Sequence, residues 1–295
     1  MAASWEWKQD DQIVPGLMAL RRLGGGHRYE AYLAWDETLF APVVAKVLRP
    51  DQVDDPGALR SLTAEARMLD RLAHPVLVRS FAAVLDGPRP HLLLEHLDGP
   101  RLSSLLRRHG PLALEQILPL GLEVCSALHY LAASGVVHLD VKPSNIIMGS
   151  PPRLIDLSIA RTIDSAARLD HAVGTDGYMA PEQCDPPRSG TPGPPADIWG
   201  MGATMFEALC GMRPFADGEA SDDAAPERRW PQLVDEPASL PSNSPPVVRD
   251  LVMACLDGDP SARPTAAELA RALEPLVDSL PAPMLGRFRP GPRVA

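Results

Sequence analysis

The sequence predicts an α+β fold with two lobes, a small β-rich N-terminal lobe with one main helix and a larger, mostly α-helical C-terminal lobe. Short β-branched and alternating apolar runs occupy 14–96, with a single stretch at helical spacing. After Asp98-Gly99-Pro100 the pattern changes to long helical segments. A chain of 295 residues can bury the core of a two-lobed domain. We therefore expect one domain at 14–280, divided into lobes at 14–96 and 97–280.

Within the first lobe, the apolar run that begins at Leu17 leads into Gly24-Gly25-Gly26, a tight-turn signal. Strands are predicted at 29–35, 43–48, 76–85 and 91–97. The helix is predicted at 57–73, where five apolar residues recur at helical spacing: Leu59, Leu62, Ala66, Leu69 and Leu72.

The second lobe is predicted to be helical around a loop-rich centre at 135–181. Residues 216–246 are rich in proline and acidic residues, and we expect loops around a short helix there. Helices are predicted at 101–109, 114–134, 197–211, 246–256 and 265–277. Outside the domain we expect a polar lead-in at 1–13 and a flexible tail rich in proline and arginine at 281–295.

Composition excludes several classes of protein. A net charge of −10 argues against a nucleic-acid partner. Four cysteines without paired spacing predict neither a zinc site nor disulfides, and indicate reduced thiols in a cytoplasmic protein. No run approaches 18 apolar residues and the N-terminus lacks an apolar core, so we expect neither a membrane span nor a signal peptide. The sequence holds no pattern that specifies an oligomeric state.

Lysine is rare in this chain and is found at two places suited to phosphate chemistry. The chain has only three lysines, Lys8, Lys46 and Lys142, and carries most of its positive charge on arginine. A lysine ammonium is a compact point charge on a flexible stem, which suits a phosphate pocket. Asparagine is equally rare, and one of the two, Asn145, lies three residues after Lys142.

The first group of candidate residues begins with Gly24 and Gly26. Alone this pair is better explained as a hairpin turn. Lys46 follows 22 residues after Gly24 in a predicted strand, and Glu65 lies 19 residues further on in the predicted helix. A carboxylate there would hold the Lys46 ammonium against a phosphate. The alternative for Glu65 alone is an exposed helix carboxylate.

The second group lies between apolar runs in the loop-rich centre. Asp140, Lys142 and Asn145 are polar residues among apolar ones. In such surroundings a polar side chain must be either hydrogen-bonded to a partner or functional. Asp156 ends a later apolar strand. Oxygen ligands from Asn145 and Asp156 suit Mg²⁺. Asp140 would orient a hydroxyl or take its proton, and Lys142 would neutralise charge on a phosphoryl group. Any one of them alone is explained as a turn or cap residue.

Together these residues resemble the eukaryotic-type protein kinase family, bacterial serine/threonine branch, over 16–276. The catalytic loop corresponds to 138–145, the end of the activation segment to 174–182, and the start of the central helix to Asp197. In this family an arginine, here Arg263, pairs with a glutamate, here Glu182. The resemblance implies a protein kinase-like fold, with Asp140, Lys142 and Asn145 catalytic and Asn145 and Asp156 binding metal. It implies that ATP is bound by Leu23, Gly24, Gly26, Ala31, Lys46, Glu65, Glu95 and Leu97.

Three positions depart from the family pattern. Tyr29 replaces the last glycine of the glycine loop, and a bulky residue there limits how closely the backbone covers the phosphates. Leu139 replaces the arginine that pairs with a phosphorylated activation loop. Ser158 replaces the glycine of the Asp-Phe-Gly motif, whose aspartate is Asp156 here. None of the three removes a group that would touch the transferred phosphoryl.

The sequence thus predicts a protein serine/threonine kinase that uses ATP and Mg²⁺ and acts on a protein substrate. Two alternatives remain at this point. One is a pseudokinase, a scaffold or switch that binds nucleotide weakly, which the departures at Tyr29 and Ser158 favour. The other is a small-molecule phosphotransferase of kinase-like fold, which 174–182 argue against because a small substrate needs no peptide platform.

Overall fold

A computed structural model describes residues 3–221, 223–242 and 244–281 of the chain. Its N-terminal lobe is a six-stranded antiparallel sheet. In chain order its strands are β1 (Gln12–Val14), β2 (Leu17–Gly25), β3 (Tyr29–Asp36), β4 (Ala41–Leu48), β5 (Ser80–Val84) and β6 (His91–Glu95). They lie in the order β1-β2-β3-β4-β6-β5, so β4 is central and β5 is an edge strand.

The single long helix of this lobe, α1 (Pro56–Arg71), packs against β5 and β6. Its N-cap is Asp55, whose side chain accepts from the Ala58 N–H at 2.6 Å. Leu62 and Leu69 are buried on the helix face that meets the sheet, and Glu65 lies between them on that face. The spacing of three and four residues between Leu62, Glu65 and Leu69 therefore turns the Glu65 carboxylate toward the interior.

The C-terminal lobe is mainly helical, as predicted. Its longer helices are α2 (Leu102–His109), α3 (Leu114–Ala133), α7 (Pro194–Cys210), α9 (Pro246–Cys255) and α10 (Ala266–Asp278). Helix α3 lies against α7 and α10, and most of its buried residues are apolar. Short elements fill the loop-rich centre and the segments after it: β7 (Val136–Val137), β8 (Ile146–Ile147), β9 (Arg153–Leu154), β10 (Arg161–Thr162), α4 (Ile163–Ala166), α5 (Pro181–Cys184), α6 (Pro186–Ser189) and α8 (Pro226–Arg229). The predicted two-lobed α+β fold is confirmed.

A buried ion pair fixes the end of the predicted activation segment to the second lobe. Arg263 donates to both oxygens of Glu182, at 2.7 Å and 2.9 Å, and both side chains are fully buried. The guanidinium also lies over the ring of Trp199 on α7. A bidentate arginine–carboxylate contact fixes geometry as well as charge, so it positions α5 against α7.

Two predicted element starts differ from the structure by three residues or more. The strand predicted at 76–85 begins only at Ser80, because Val76 and Val78 exchange backbone hydrogen bonds with Leu154 of the other lobe instead. The helix predicted at 197–211 begins three residues earlier, at Pro194. Proline is tolerated in the first turn of a helix, where an N–H would lack an intrahelical partner.

Three apolar side chains of the predicted polar lead-in pack on the sheet. Ile13 is fully buried in β1, and Trp5 and Trp7 pack beside it on the outer face of the sheet. Glu6 between them has a φ of 53°, and the two indoles stack on each other with ring centroids 4.9 Å apart. The tail predicted at 281–295 falls, except for its first residue, outside the described residues. In the part of the chain that the structure describes, no helix is long and apolar enough to cross a membrane.

Candidate active site

The interior between the two lobes holds a lysine between two carboxylates. Lys46 lies in central strand β4, and its Nζ is 2.8 Å from both oxygens of Glu65 on α1. The same Nζ is 2.8 Å from Oδ1 of Asp156, which follows β9 in the other lobe. Residues separated by 110 positions in the chain thus meet at one ammonium. The Lys46–Glu65 contact expected from the sequence is present.

Burial and charge act against each other in this triad. Burial would lower the pKa of Lys46, but Glu65 and Asp156 outweigh it and hold its pKa above the usual range. For Glu65, which is almost fully enclosed, burial prevails over Lys46 and raises the pKa. Burial also opposes ionisation of Asp156, yet the Lys46 ammonium holds the pKa of that carboxyl below its usual range. Asp156 is therefore the more firmly ionised partner.

This difference gives a testable pH dependence. Because the folded-state pKa of Asp156 is lowered, its carboxylate stabilises the fold above the unfolded-state pKa of about 4, and this contribution is lost as the pH falls below it. We expect Asp156→Asn to be less stable than the wild type at neutral pH, with a gap that narrows on acidification. Urea unfolding of both proteins from about pH 7 to about pH 2.5, which extends well below the unfolded-state pKa, measures the gap. A gap that does not change with pH would contradict the ion-pair account.

A second cluster surrounds Asp140 on the loop between β7 and β8. Asp140 accepts from Lys142 Nζ at 2.7 Å, from Asn145 Nδ2 at 2.9 Å and from the Thr175 hydroxyl at 2.7 Å. Asn145 also donates to the Asp140 carbonyl at 3.0 Å. Lys142 contacts the Thr175 hydroxyl as well. Thus the three predicted catalytic residues lie together, and the end of the activation segment adds a hydroxyl.

A buried carboxylate holds this loop in a strained backbone conformation. Leu139 has a φ of 64°, a conformation that leucine rarely adopts. Asp197, at the start of α7, accepts from the backbone N–H of His138 at 2.8 Å and of Leu139 at 2.7 Å. Burial raises the pKa of Asp197, and the two donated hydrogen bonds counter that effect. The contacts to Asp197 offset the local strain before Asp140.

Replacement of Asp197 tests this support. Asp197→Asn keeps one acceptor oxygen and loses the other, so one buried N–H of the loop lacks its partner. We expect a loss of about 1–3 kcal/mol in the free energy of unfolding and a lower turnover for any reaction at Asp140. Urea unfolding measures the first effect. Unchanged stability would show that the loop holds its conformation without this carboxylate.

Four of the predicted nucleotide-binding residues, Leu23, Gly24, Gly26 and Ala31, lie on β2, on β3 or in the turn between them. Leu23 and Gly24 lie near the end of β2, and Gly26 begins the turn that leads into β3. Ala31 is paired with Lys46 across β3 and β4, so it lies beside the ammonium. Tyr29, which replaces the last glycine, turns its ring toward Lys46, with Nζ 4.8 Å from the ring centroid. The sequence did not indicate that contact.

Glu95 and Leu97 lie at the connection between the lobes. The Glu95 carboxylate is buried and accepts from Arg153 at 2.7 Å and from the Arg79 N–H at 2.8 Å. It therefore faces away from the triad. Because the Glu95 N–H donates to the Arg79 carbonyl at 3.0 Å, the backbone carbonyl is the part of this residue that remains for a nucleotide. Leu97 is half-buried and packs on the core of the second lobe. Arg153 was not predicted, and nothing in its local sequence indicates the role.

Comparisons with known proteins were consistent with this geometry. Residues 17–273 match the protein kinase domain. The chain is 33% identical over 246 residues to serine/threonine-protein kinase PkaA of Streptomyces coelicolor, which covers 81% of this chain and 44% of that protein. It is 31% identical over 293 residues to serine/threonine-protein kinase PknA of Mycobacterium tuberculosis, covering 95% and 64%. With PknB of Mycolicibacterium smegmatis the identity is 32% over 203 residues, covering 65% and 32%. The chain thus spans less than two thirds of the length of these curated relatives.

Proposed function

Because this chain belongs to the protein kinase family, we propose that it is a serine/threonine kinase that moves the γ-phosphate of ATP to a hydroxyl of a protein substrate. The observation that carries the proposal is that two clusters lie side by side, since Ile155, next to Asp156, donates its backbone N–H to the Asn145 carbonyl at 2.9 Å. One is an ammonium held by two carboxylates, and the other is Asp140 with its lysine, amide and hydroxyl partners. Phosphoryl transfer is catalysed mainly by positioning and charge stabilisation, which such groups provide.

Lys46 is assigned to the phosphates of ATP. Glu65 holds the ammonium from the first lobe. Asp156 holds it from the second lobe, so the ammonium lies between the two. Leu23, Gly24, Gly26 and Ala31 are assigned to the walls around the nucleotide, with the backbone of Glu95 and Leu97 at the adenine end. The Glu95 N–H already donates to the Arg79 carbonyl at 3.0 Å and the carboxylate is engaged with Arg153, so the backbone carbonyl of Glu95 is the group assigned to adenine.

Asn145 and Asp156 are assigned to Mg²⁺, which supplies charge neutralisation on the phosphates when bound. Both residues offer hard oxygen donors, the kind that Mg²⁺ prefers. The Asn145 amide nitrogen donates to Asp140, which leaves its oxygen as the ligand atom. Magnesium is commonly bound by one or two protein side chains together with substrate phosphates, so two protein donors fit this ion.

Asp140 is assigned to the substrate hydroxyl. It already accepts from the Thr175 hydroxyl, which supports its capacity to receive an alcohol of the same chemical kind. In the reaction Asp140 would accept the hydroxyl proton as the oxygen attacks, and Lys142 would stabilise charge on the phosphoryl group. The relatives are named serine/threonine-protein kinases, which supports a serine or threonine acceptor over tyrosine.

Composition extends the proposal to partners and place. A net charge of −10 favours a protein substrate over a nucleic acid. Cys125, Cys184, Cys210 and Cys255 are all free thiols, which supports a reducing compartment such as the cytoplasm.

The test is nucleotide binding and phosphoryl transfer with and without Mg²⁺. We expect ATP binding that tightens with Mg²⁺, and transfer of label from [γ-³²P]ATP to a general protein substrate such as myelin basic protein or casein. Binding without transfer would favour a pseudokinase. Transfer to sugars or aminoglycosides, with none to proteins, would favour a small-molecule phosphotransferase. Absence of both binding and transfer would overturn the proposal.

A further inference from the structure

Residues Ala3–Trp7 form a segment, here called the N-terminal strap, that lies outside the residues matched to the kinase domain. Trp5 donates from Nε1 to the Leu48 carbonyl at 2.7 Å, at the end of β4. Trp5 and Trp7 stack with ring centroids 4.9 Å apart, and Trp7 meets Tyr32 of β3 edge-on at 5.1 Å. The strap is thus attached to the outer face of the sheet, opposite the cleft.

The strap reaches a fully buried carboxylate next to the glycine turn. Glu30, the second residue of β3, accepts from the Ser4 hydroxyl at 2.6 Å and from the Trp5 N–H at 3.0 Å. Arg22 and Arg49 lie 2.9 Å and 3.3 Å from its Oε1. A buried carboxylate needs such partners, and here the strap supplies two of them.

Arg49 joins the strap to the turn itself. The guanidinium donates from Nη1 to the Ala3 carbonyl at 2.9 Å and from Nε to the Gly26 carbonyl at 2.7 Å. The backbone N–H of Arg49 donates to the Arg28 carbonyl at 2.9 Å. One residue therefore holds the turn between β2 and β3 at two carbonyls, while its side chain is held by the strap and by Glu30.

We propose that the N-terminal strap is a positioning element for the glycine turn. Through Glu30 and Arg49 it holds Gly26 and Arg28 of this turn in place. The turn leads directly into Tyr29, which replaces the usual glycine and faces Lys46. The consequence for ATP affinity rests on the proposed kinase function, but the positioning of the turn does not. A segment that merely covered the sheet would affect stability alone, without a selective effect on the turn.

Two variants release the strap by different means. Trp5→Ala removes the indole that attaches the strap to Leu48. Arg49→Lys keeps the positive charge opposite Glu30 but loses the planar fork that reaches Ala3 and Gly26 together. Trp35→Ala is the matched control. Trp35 lies at the end of β3 that is far from the glycine turn, where it contacts Phe40. Two independent variants keep the test decisive if one of them folds poorly.

Hydrogen–deuterium exchange without nucleotide is the first measurement. We expect amides of residues 24–31 to exchange about tenfold faster in Trp5→Ala and Arg49→Lys, and to be unchanged in Trp35→Ala. Equal exchange in all four proteins, wild type included, would overturn the proposal. So would an acceleration spread evenly over both lobes, since that reports a general loss of stability.

Nucleotide affinity and turnover are the second measurement. We expect the Kd of Mg·ATP to rise about three- to tenfold in both strap variants, with kcat within about twofold of the wild type. Faster exchange of the turn with unchanged affinity would overturn the link to nucleotide binding. If the wild type itself neither binds ATP nor transfers phosphate, the kinase proposal fails, and the exchange data alone decide the role of the strap.

Discussion

Asp140→Asn is expected to lower kcat by about 10²–10⁴-fold, with the affinity for ATP within about twofold of the wild type. The carboxylate is the only group in its cluster able to accept a proton from an attacking hydroxyl, because Lys142, Asn145 and Thr175 all donate to it. Asparagine retains the size and one acceptor oxygen but cannot take that proton. Initial rates with [γ-³²P]ATP and a protein substrate measure kcat, and calorimetry measures the ATP affinity.

The matched control is Asp250→Asn, which makes the same change at an exposed carboxylate on α9. It is expected to keep full activity. Equal transfer by wild type and Asp140→Asn would remove Asp140 from the catalytic role and, with it, the main support for the kinase proposal. A parallel fall in ATP affinity would instead indicate that the variant disturbs the whole cleft.

Lys46→Met is expected to lower both activity and stability. Loss of the ammonium leaves the Glu65 and Asp156 carboxylates close together without their counter-charge. Breaking a buried ion pair on one side costs about 3 kcal/mol or more in the free energy of unfolding. Because Lys46 is also the proposed phosphate contact, kcat/KM is expected to fall about 10²–10³-fold. Urea unfolding and initial rates measure the two effects separately.

A second substitution separates the two roles of the lysine. In Lys46→Met/Glu65→Leu the nearly enclosed carboxylate is replaced by an apolar residue of similar size, so most of the lost stability should return. The activity should not return, since no ammonium faces the phosphates. Recovery of activity along with stability would mean that Lys46 acts only as a structural partner of Glu65.

Much of the fold and the family were predictable because local patterns and long-range structure agree. Helical spacing in 57–73 and 114–134 predicted helices that the structure contains, and the polar residues of 138–145 lie in one hydrogen-bonded cluster. The roles assigned to Lys46, Asp140 and their partners remain predictions. Their proximity in the structure supports those assignments without testing them.

What escaped prediction depends on contacts between distant residues. The side-chain direction of Glu95 is set by Arg153, 58 positions later, and no local pattern specifies that pair. The same holds for Glu30 and Arg49, although alternation along β3 places Glu30 on the face of Tyr32 and Ala34, which are buried. That alternation was the one signal available for a buried glutamate. For the N-terminal segment, the available signal was the presence of two large apolar side chains, Trp5 and Trp7, among polar residues.

The attachment of Ile13, Trp5 and Trp7 to the sheet has a practical consequence for anyone who expresses this protein. These side chains cover a small apolar cluster that includes Ala34 and Val43. A fragment cut at the family boundary, residue 17, would leave that cluster facing water. Such a shortened protein should aggregate more readily than the full chain, and kinetic constants measured on it would describe a damaged first lobe.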